Sequence, residues 1–152
     1  MHGIRSRAIQ LVLAGTFAGL MLGSSVPAFA GHAYSSYGYY TVYGIGYRNQ
    51  AGVHTTSYSC WATTYVGCYP ARNVPAGYMG ARARLYNSGG SLVRQSSWQY
   101  NSSTLGGMSV LTSDPYSLPT GVYYSLGQSR AWNGSGYATY NTFRSPNQNY
   151  PG

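Results

Sequence analysis

Residues able to move a proton, attack a carbonyl or hold a metal are few in this chain of 152 residues. There is one acidic side chain, Asp114, with three histidines (His2, His32 and His54), two cysteines and eighteen tyrosines. Glycosidase chemistry with paired carboxylates needs two acids and is excluded. A Ser-His-Asp triad can be written from His54, Asp114 and any of many serines. No Gly-x-Ser-x-Gly elbow marks one of them, and Asp114 before Pro115 reads as a turn residue. His32 is expected to be mobile near a processed terminus and His54 to begin a strand, each facing solvent or hydrogen-bonded rather than ligating a metal. No Gly-x-Gly-x-x-Gly or Gly-x-x-x-x-Gly-Lys run cradles a phosphate. The expectation is a protein without catalytic residues, metal or cofactor.

Cys60 and Cys68 are the only cysteines. In an exported chain an even count reads as one structural disulfide, whose short loop would contribute about 2 to 3 kcal/mol. Export is read from residues 1–30, where Arg5 and Arg7 precede an apolar run from Ala8 to Leu22 and Ala28-Phe29-Ala30 supplies a small-x-small cleavage site. The run falls short of a spanning helix, the arginines do not form a twin-arginine pair, and no cysteine follows to take a lipid. Cleavage would leave a chain from Gly31 with seven arginines against one aspartate, a net charge of +6. Lysine is absent, so every cation in it is a guanidinium that can stack on rings and fork onto phosphate or carboxylate.

Such groups need a scaffold, and alternation points to strands. Tyr37, Tyr39, Thr41, Tyr43, Ile45 and Tyr47 share a parity, Arg48 to Gly52 reads as a turn, and Val53 to Val66 reads as a second strand. Met79, Ala81, Ala83 and Leu85 alternate with Arg82, Arg84 and Tyr86 before an Asn87-Ser-Gly-Gly90 turn. Pairing Tyr86 with Ser91 puts Tyr78, Arg82, Arg84, Tyr86 and Gln95 on one face, and Met79, Leu85, Leu92 and Trp98 on the other. Arg94 then falls on the apolar side, to be resolved by a sheet edge or by a bulge. A second hairpin pairs a strand from Val122 to Trp132 with Tyr137 to Phe143 across Asn133-Gly-Ser-Gly136, setting Trp132 opposite Tyr137 and Arg130 near Thr139. Met108 to Thr112 reads as a short strand, Asp114 to Pro119 as a loop ordered by its prolines, and residues 144–152 as a flexible tail. The sum is a single all-β domain over residues 31–143, an antiparallel β-sandwich or small barrel of about seven strands.

The block Tyr123-Tyr124-Ser125-x-Gly127, followed by Trp132-Asn133-Gly134-x-Gly136-Tyr137, resembles one found near the C-termini of small secreted proteins of Gram-positive bacteria, actinobacteria especially, without an assigned activity. The likeness spans about fifteen residues and implies a source and a compartment. It carries over no functional residue.

Arginines interleaved with Tyr and Trp would suit single-stranded nucleic acid in a cytosol. Export turns the expectation to anionic polymers outside the cell: wall teichoic acids, acidic polysaccharides, lipid head groups, or another secreted protein. The sequence thus points to a secreted, non-enzymatic β-domain, free or wall-associated, that binds a cell-envelope partner through Tyr78, Arg82, Arg84, Tyr86, Arg130 and Trp132. A secreted antibacterial protein or toxin-assembly component is the second class. A protease inhibitor presenting the Cys60–Cys68 segment or the 114–119 loop is the third.

Overall fold

The computed structural model describes residues 31–112 and 118–152. The expected signal peptide and Asp114 lie outside these residues. The described chain is all-β, in thirteen antiparallel strands. The first half supplies β1 (Gly31–Tyr34), β2 (Gly38–Val42), β3 (Ile45–Thr55) and β4 (Cys60–Cys68). The middle supplies β5 (Met79–Arg82), β6 (Arg84–Asn87), β7 (Leu92–Gln95), β8 (Gln99–Tyr100) and β9 (Gly107–Leu111). The C-terminal part supplies β10 (Gly121–Ser125), β11 (Gln128–Trp132), β12 (Tyr137–Asn141) and β13 (Gln148–Tyr150).

They form three sheets. One runs β1-β3-β4-β9, with β2 also paired to β3 beyond the end of β1; the others run β13-β10-β6-β7 and β12-β11-β5-β8. None closes into a barrel. The five-stranded sheet faces both four-stranded sheets across two apolar clusters. In one, Val42, Ile45, Tyr47, Val66 and Cys68 meet Met79, Ala81 and Ala131. In the other, Ala33, Val53, Cys60 and Ala62 meet Ala83, Leu85, Tyr123 and Tyr150. In the first cluster bulky Tyr47 and Ile45 on the five-stranded sheet are matched by small Ala81 and Ala131, and in the second small Ala33, Cys60 and Ala62 are matched by bulky Leu85, Tyr123 and Tyr150, which lets the layers interdigitate.

Several expectations are corrected here. The count of about seven strands fails because single alternating runs are divided between sheets. Residues 79–87 leave one sheet at Ala83, whose amide takes the Ser96 hydroxyl oxygen at 2.9 Å and whose carbonyl accepts from Ser96 N at 2.9 Å. Residues 121–132 change sheets at Leu126-Gly127, where the backbone passes so close to Thr64 that a Cβ on Gly127 would strike its hydroxyl. The turn expected at 48–52 is continuous strand. The chain turns instead at Tyr43-Gly44, both with positive φ (53° and 72°), the hand that suits a two-residue hairpin.

The disulfide is also overturned, since Cys60 and Cys68 are both free thiols. They sit at the two ends of β4, and eight steps of extended chain hold them about 26 Å apart, far beyond bridging distance. They share a parity, so both are buried, one in each cluster. Residues 148–150, expected within a flexible tail, form β13 against β10 with Tyr150 buried in the second cluster.

Hairpin registers divide by turn chemistry. Trp132 faces Tyr137 and Arg130 faces Thr139, as expected, and the Asn133 carboxamide oxygen accepts from Ser135 N (3.0 Å) and Gly136 N (2.8 Å). In the β6-β7 hairpin Arg84 faces Gln95 and Leu85 faces Arg94, while a bulge leaves Val93 extra and brings Leu92 opposite Tyr86. Leu92 is therefore exposed and Val93 packs on the core. Arg94 lies on β7, the edge strand.

Candidate functional site

The outward faces of β5, β6, β10, β11 and β12 form one surface, because β5 runs into β6 and β10 into β11 across the two four-stranded sheets. Alternation decides which side chains stand on it. Met79, Ala81, Ala83, Leu85, Ser129 and Ala131 point inward and are buried, so Arg82, Arg84, Tyr86, Gln128, Arg130 and Trp132 point out.

At one end the indole of Trp98 lies beneath two cations, with the Arg130 guanidinium carbon 4.0 Å and that of Arg82 4.9 Å from a ring centroid. Arg130 also donates from Nη1 to the Tyr100 hydroxyl (2.8 Å) and from Nε to Thr139 Oγ1 (3.2 Å). A line of rings continues from Trp98 to Tyr100 (6.5 Å), to Tyr137 (4.9 Å) and to Trp132 (5.5 Å, edge-on). Tyr100 needs Gly80 beneath it: a Cβ there would stand 2.6 Å from its ring.

An amide relay joins this end to the other. Arg82 Nε donates to Gln128 Oε1 (2.7 Å), and Gln128 Nε2 donates to Asn141 Oδ1 (2.9 Å). That oxygen also accepts from Arg84 Nη2 (3.4 Å), while Arg84 Nε donates to the Leu126 carbonyl (2.9 Å). Beyond it, Tyr86 stacks on Tyr124 at 5.3 Å, Arg84 leans over Tyr86 at 5.6 Å, and Arg144 covers Tyr124 at 3.6 Å. The surface is thus a strip of four guanidiniums alternating with rings.

Its electrostatics are one-sided. No acidic side chain stands among the described residues, because the single aspartate of the chain lies outside them. Burial pulls the Arg84 guanidinium below its ordinary range and the nearby Arg82 adds to this, while Tyr86 opposes it. Arg84 nonetheless stays cationic at physiological pH. Most of the five N–H donors on each arginine find no protein acceptor among the described residues.

Five of the six residues singled out by sequence (Arg82, Arg84, Tyr86, Arg130 and Trp132) lie on this strip. Tyr78 does not: it packs against the first core cluster. Trp98, expected on the apolar side, lies outward under the cations, because the chain is irregular between β7 and β8 and its parity resets there. Sequence reasoning missed Tyr100, Tyr124, Tyr137, Gln128, Asn141 and Arg144. Three of them carried a signal: Tyr137 stands opposite Trp132 in the expected hairpin, and Tyr124 and Gln128 share the parity of Arg130 and Trp132.

A separate cluster occupies the outer face of the five-stranded sheet, where His32 faces His54 and His54 faces Trp61. The two Nδ1 atoms are 2.6 Å apart, and His54 Nε2 is 2.8 Å from Thr63 Oγ1. Trp61 stacks on His54 at 5.2 Å. Burial, with His32 contributing, pushes the His54 imidazole down to about 4. Both histidines are hydrogen-bonded, one of the two settings expected from sequence, but His32 is held in β1 rather than mobile and His54 stands near the end of β3 rather than at the start of a strand. On the same sheet Arg48 lies within 4.5 to 5.9 Å of the ring centroids of Tyr37, Tyr69 and Tyr65, a cation already surrounded by its own tyrosines. Burial holds the Cys60 thiol up at about 12, so it is protonated and unreactive.

The chain matches no family model, no curated protein and no solved structure.

Proposed function

We propose that this protein is a secreted, non-enzymatic β-domain that binds an anionic polymer of the cell envelope through the arginine and ring strip on its four-stranded sheets. One observation carries the reading: Arg82, Arg84, Arg130 and Arg144 are laid over rings with most of their donors directed to no protein acceptor among the described residues. Four like charges along one surface repel one another, and the ring faces offset only part of that at about 0.5 to 1 kcal/mol each. A repeating polyanion such as a teichoic acid would relieve the rest at several points together. Rings between the cations would stack on the sugar or glycerol-ribitol parts of the chain. A single small anion would use only one fork of the strip.

The binding step is charge steering, followed by short-range contacts to guanidinium forks and rings. The test is cosedimentation of purified protein with isolated wall polymer at low and high salt. Wild type is expected to sediment at low salt and to be released as salt rises. Arg82→Ser combined with Arg130→Ser should keep the circular dichroism spectrum, weaken binding about tenfold or more, and flatten the salt dependence. Equal sedimentation of the double variant, or no salt-sensitive partner for wild type, would overturn the reading.

A further inference from the structure

We infer that His32 and His54 form a copper(II) site on the outer face of the five-stranded sheet, separate from the arginine strip. The register of β1 on β3 sets the two residues directly opposite, and their Nδ1 atoms converge to 2.6 Å. At that separation the two nitrogens share one proton. A metal with nitrogen ligands at about 2 Å in cis positions needs them about 3 Å apart, so it takes the proton's place after a small parting of the rings. His32 is exposed on the short edge strand β1 and is free to make that adjustment.

The fixed half of the site is His54. Its Nε2 is held by Thr63 Oγ1 at 2.8 Å, Trp61 stacks on one side at 5.2 Å, and Tyr34 meets it edge-on at 5.4 Å. A hydrogen bond to the far nitrogen of a ligating imidazole is the support that sets its tautomer and direction. Thr63 in the donor-accepting role leaves His54 Nδ1 with its lone pair aimed at His32. Gly52 lies beneath this arrangement by necessity: a Cβ there would stand 2.5 Å from Thr63 Oγ1, 2.9 Å from the Tyr34 ring and 3.0 Å from His54 Nε2.

The donor set selects the metal. Two imidazoles with no thiolate and no carboxylate beside them, on an open sheet face where water fills the remaining positions, favour copper(II) over the other divalent first-row ions. Zinc(II) with only two protein ligands is held weakly by comparison. As copper(II) enters, the shared proton leaves the Nδ1 pair and exposed His32 takes one from solvent on its Nε2, so both ligands are neutral imidazoles and no electron moves.

The test uses purified protein whose terminal amine has been acetylated, which removes the competing ligand that any free N-terminus presents. Titration with copper(II) should show one site, and its electron paramagnetic resonance spectrum should carry superhyperfine structure from two imidazole nitrogens. His32→Ala, at an exposed position, should weaken binding at least about tenfold with melting unchanged. Thr63→Val, a positioning change, should weaken it about tenfold while both imidazoles remain in the spectrum. Loss of all binding on acetylation, a spectrum with one imidazole, or wild-type affinity in His32→Ala would each overturn the site. None of these outcomes bears on polymer binding, which the His32→Ala variant should retain.

Discussion

His54 is buried in its neutral form, and that has a consequence for stability. The unfolded chain takes a proton on it near the ordinary value of 6.5, whereas the folded chain resists until about 4. Between these values the unfolded state binds more protons, so stability rises with pH through the window and is lost as pH falls through it. The loss is at most about 3 kcal/mol. With one aspartate in the chain, few other groups titrate nearby, so the effect should stand out. Urea unfolding of metal-free protein is expected to give a lower midpoint at pH 4.5 than at pH 7.5, and His54→Gln should flatten the difference. Equal midpoints in wild type would contradict the burial of a neutral imidazole. The outward arginines follow from parity at the same scale: Ala81, Ala83 and Leu85 are buried, which leaves Arg82 and Arg84 no other side.

At the scale of elements, the junctions between sheets matter more than the strands. Gly127 lies where β10 becomes β11, and a methyl group there would collide with the hydroxyl and methyl of Thr64 on β4. Thr64 is fully buried, so its side chain has no open solvent to turn into. Gly127→Ala should therefore destabilise by about 1 to 3 kcal/mol, the usual cost of overpacking. Adding Thr64→Ala should restore most of it, a coupling that a double-mutant cycle of unfolding free energies reads directly. Additive losses would place the cost elsewhere. The same junctions explain which elements were legible. The Trp132-Tyr137 hairpin was, because Asn133 and Gly134 specify its turn locally. The division of 79–87 and 121–132 was not, because each run keeps a single alternating parity and no Pro marks the break.

For the whole molecule, stability rests on two apolar clusters without a covalent staple. Treatment with a reducing agent is expected to leave the melting temperature unchanged. In native protein Cys60, fully buried and protonated, should resist a thiol reagent, and both thiols should react in denaturant. A mass lower by two hydrogens before reduction would show a bridge and contradict the arrangement of β4. The two layers also set the relation between the candidate sites, since the histidine pair and the arginine strip occupy the outer faces of opposing sheets. One could be altered without touching the other.

Composition and alternation by themselves determined the all-β class, the basic and aromatic character of the surface, and the outward setting of Arg82, Arg84 and Arg130. These depend on the period of a strand and on which residue types tolerate burial, both local properties. Tertiary structure alone decided that Cys60 and Cys68 stand at opposite ends of one strand, that His32 meets His54, and that Trp98 lies under two guanidiniums. Each depends on which strands become neighbours, and neighbours 16 to 32 positions apart in the chain are chosen by the summed packing of both layers, to which no short run of residues holds the key.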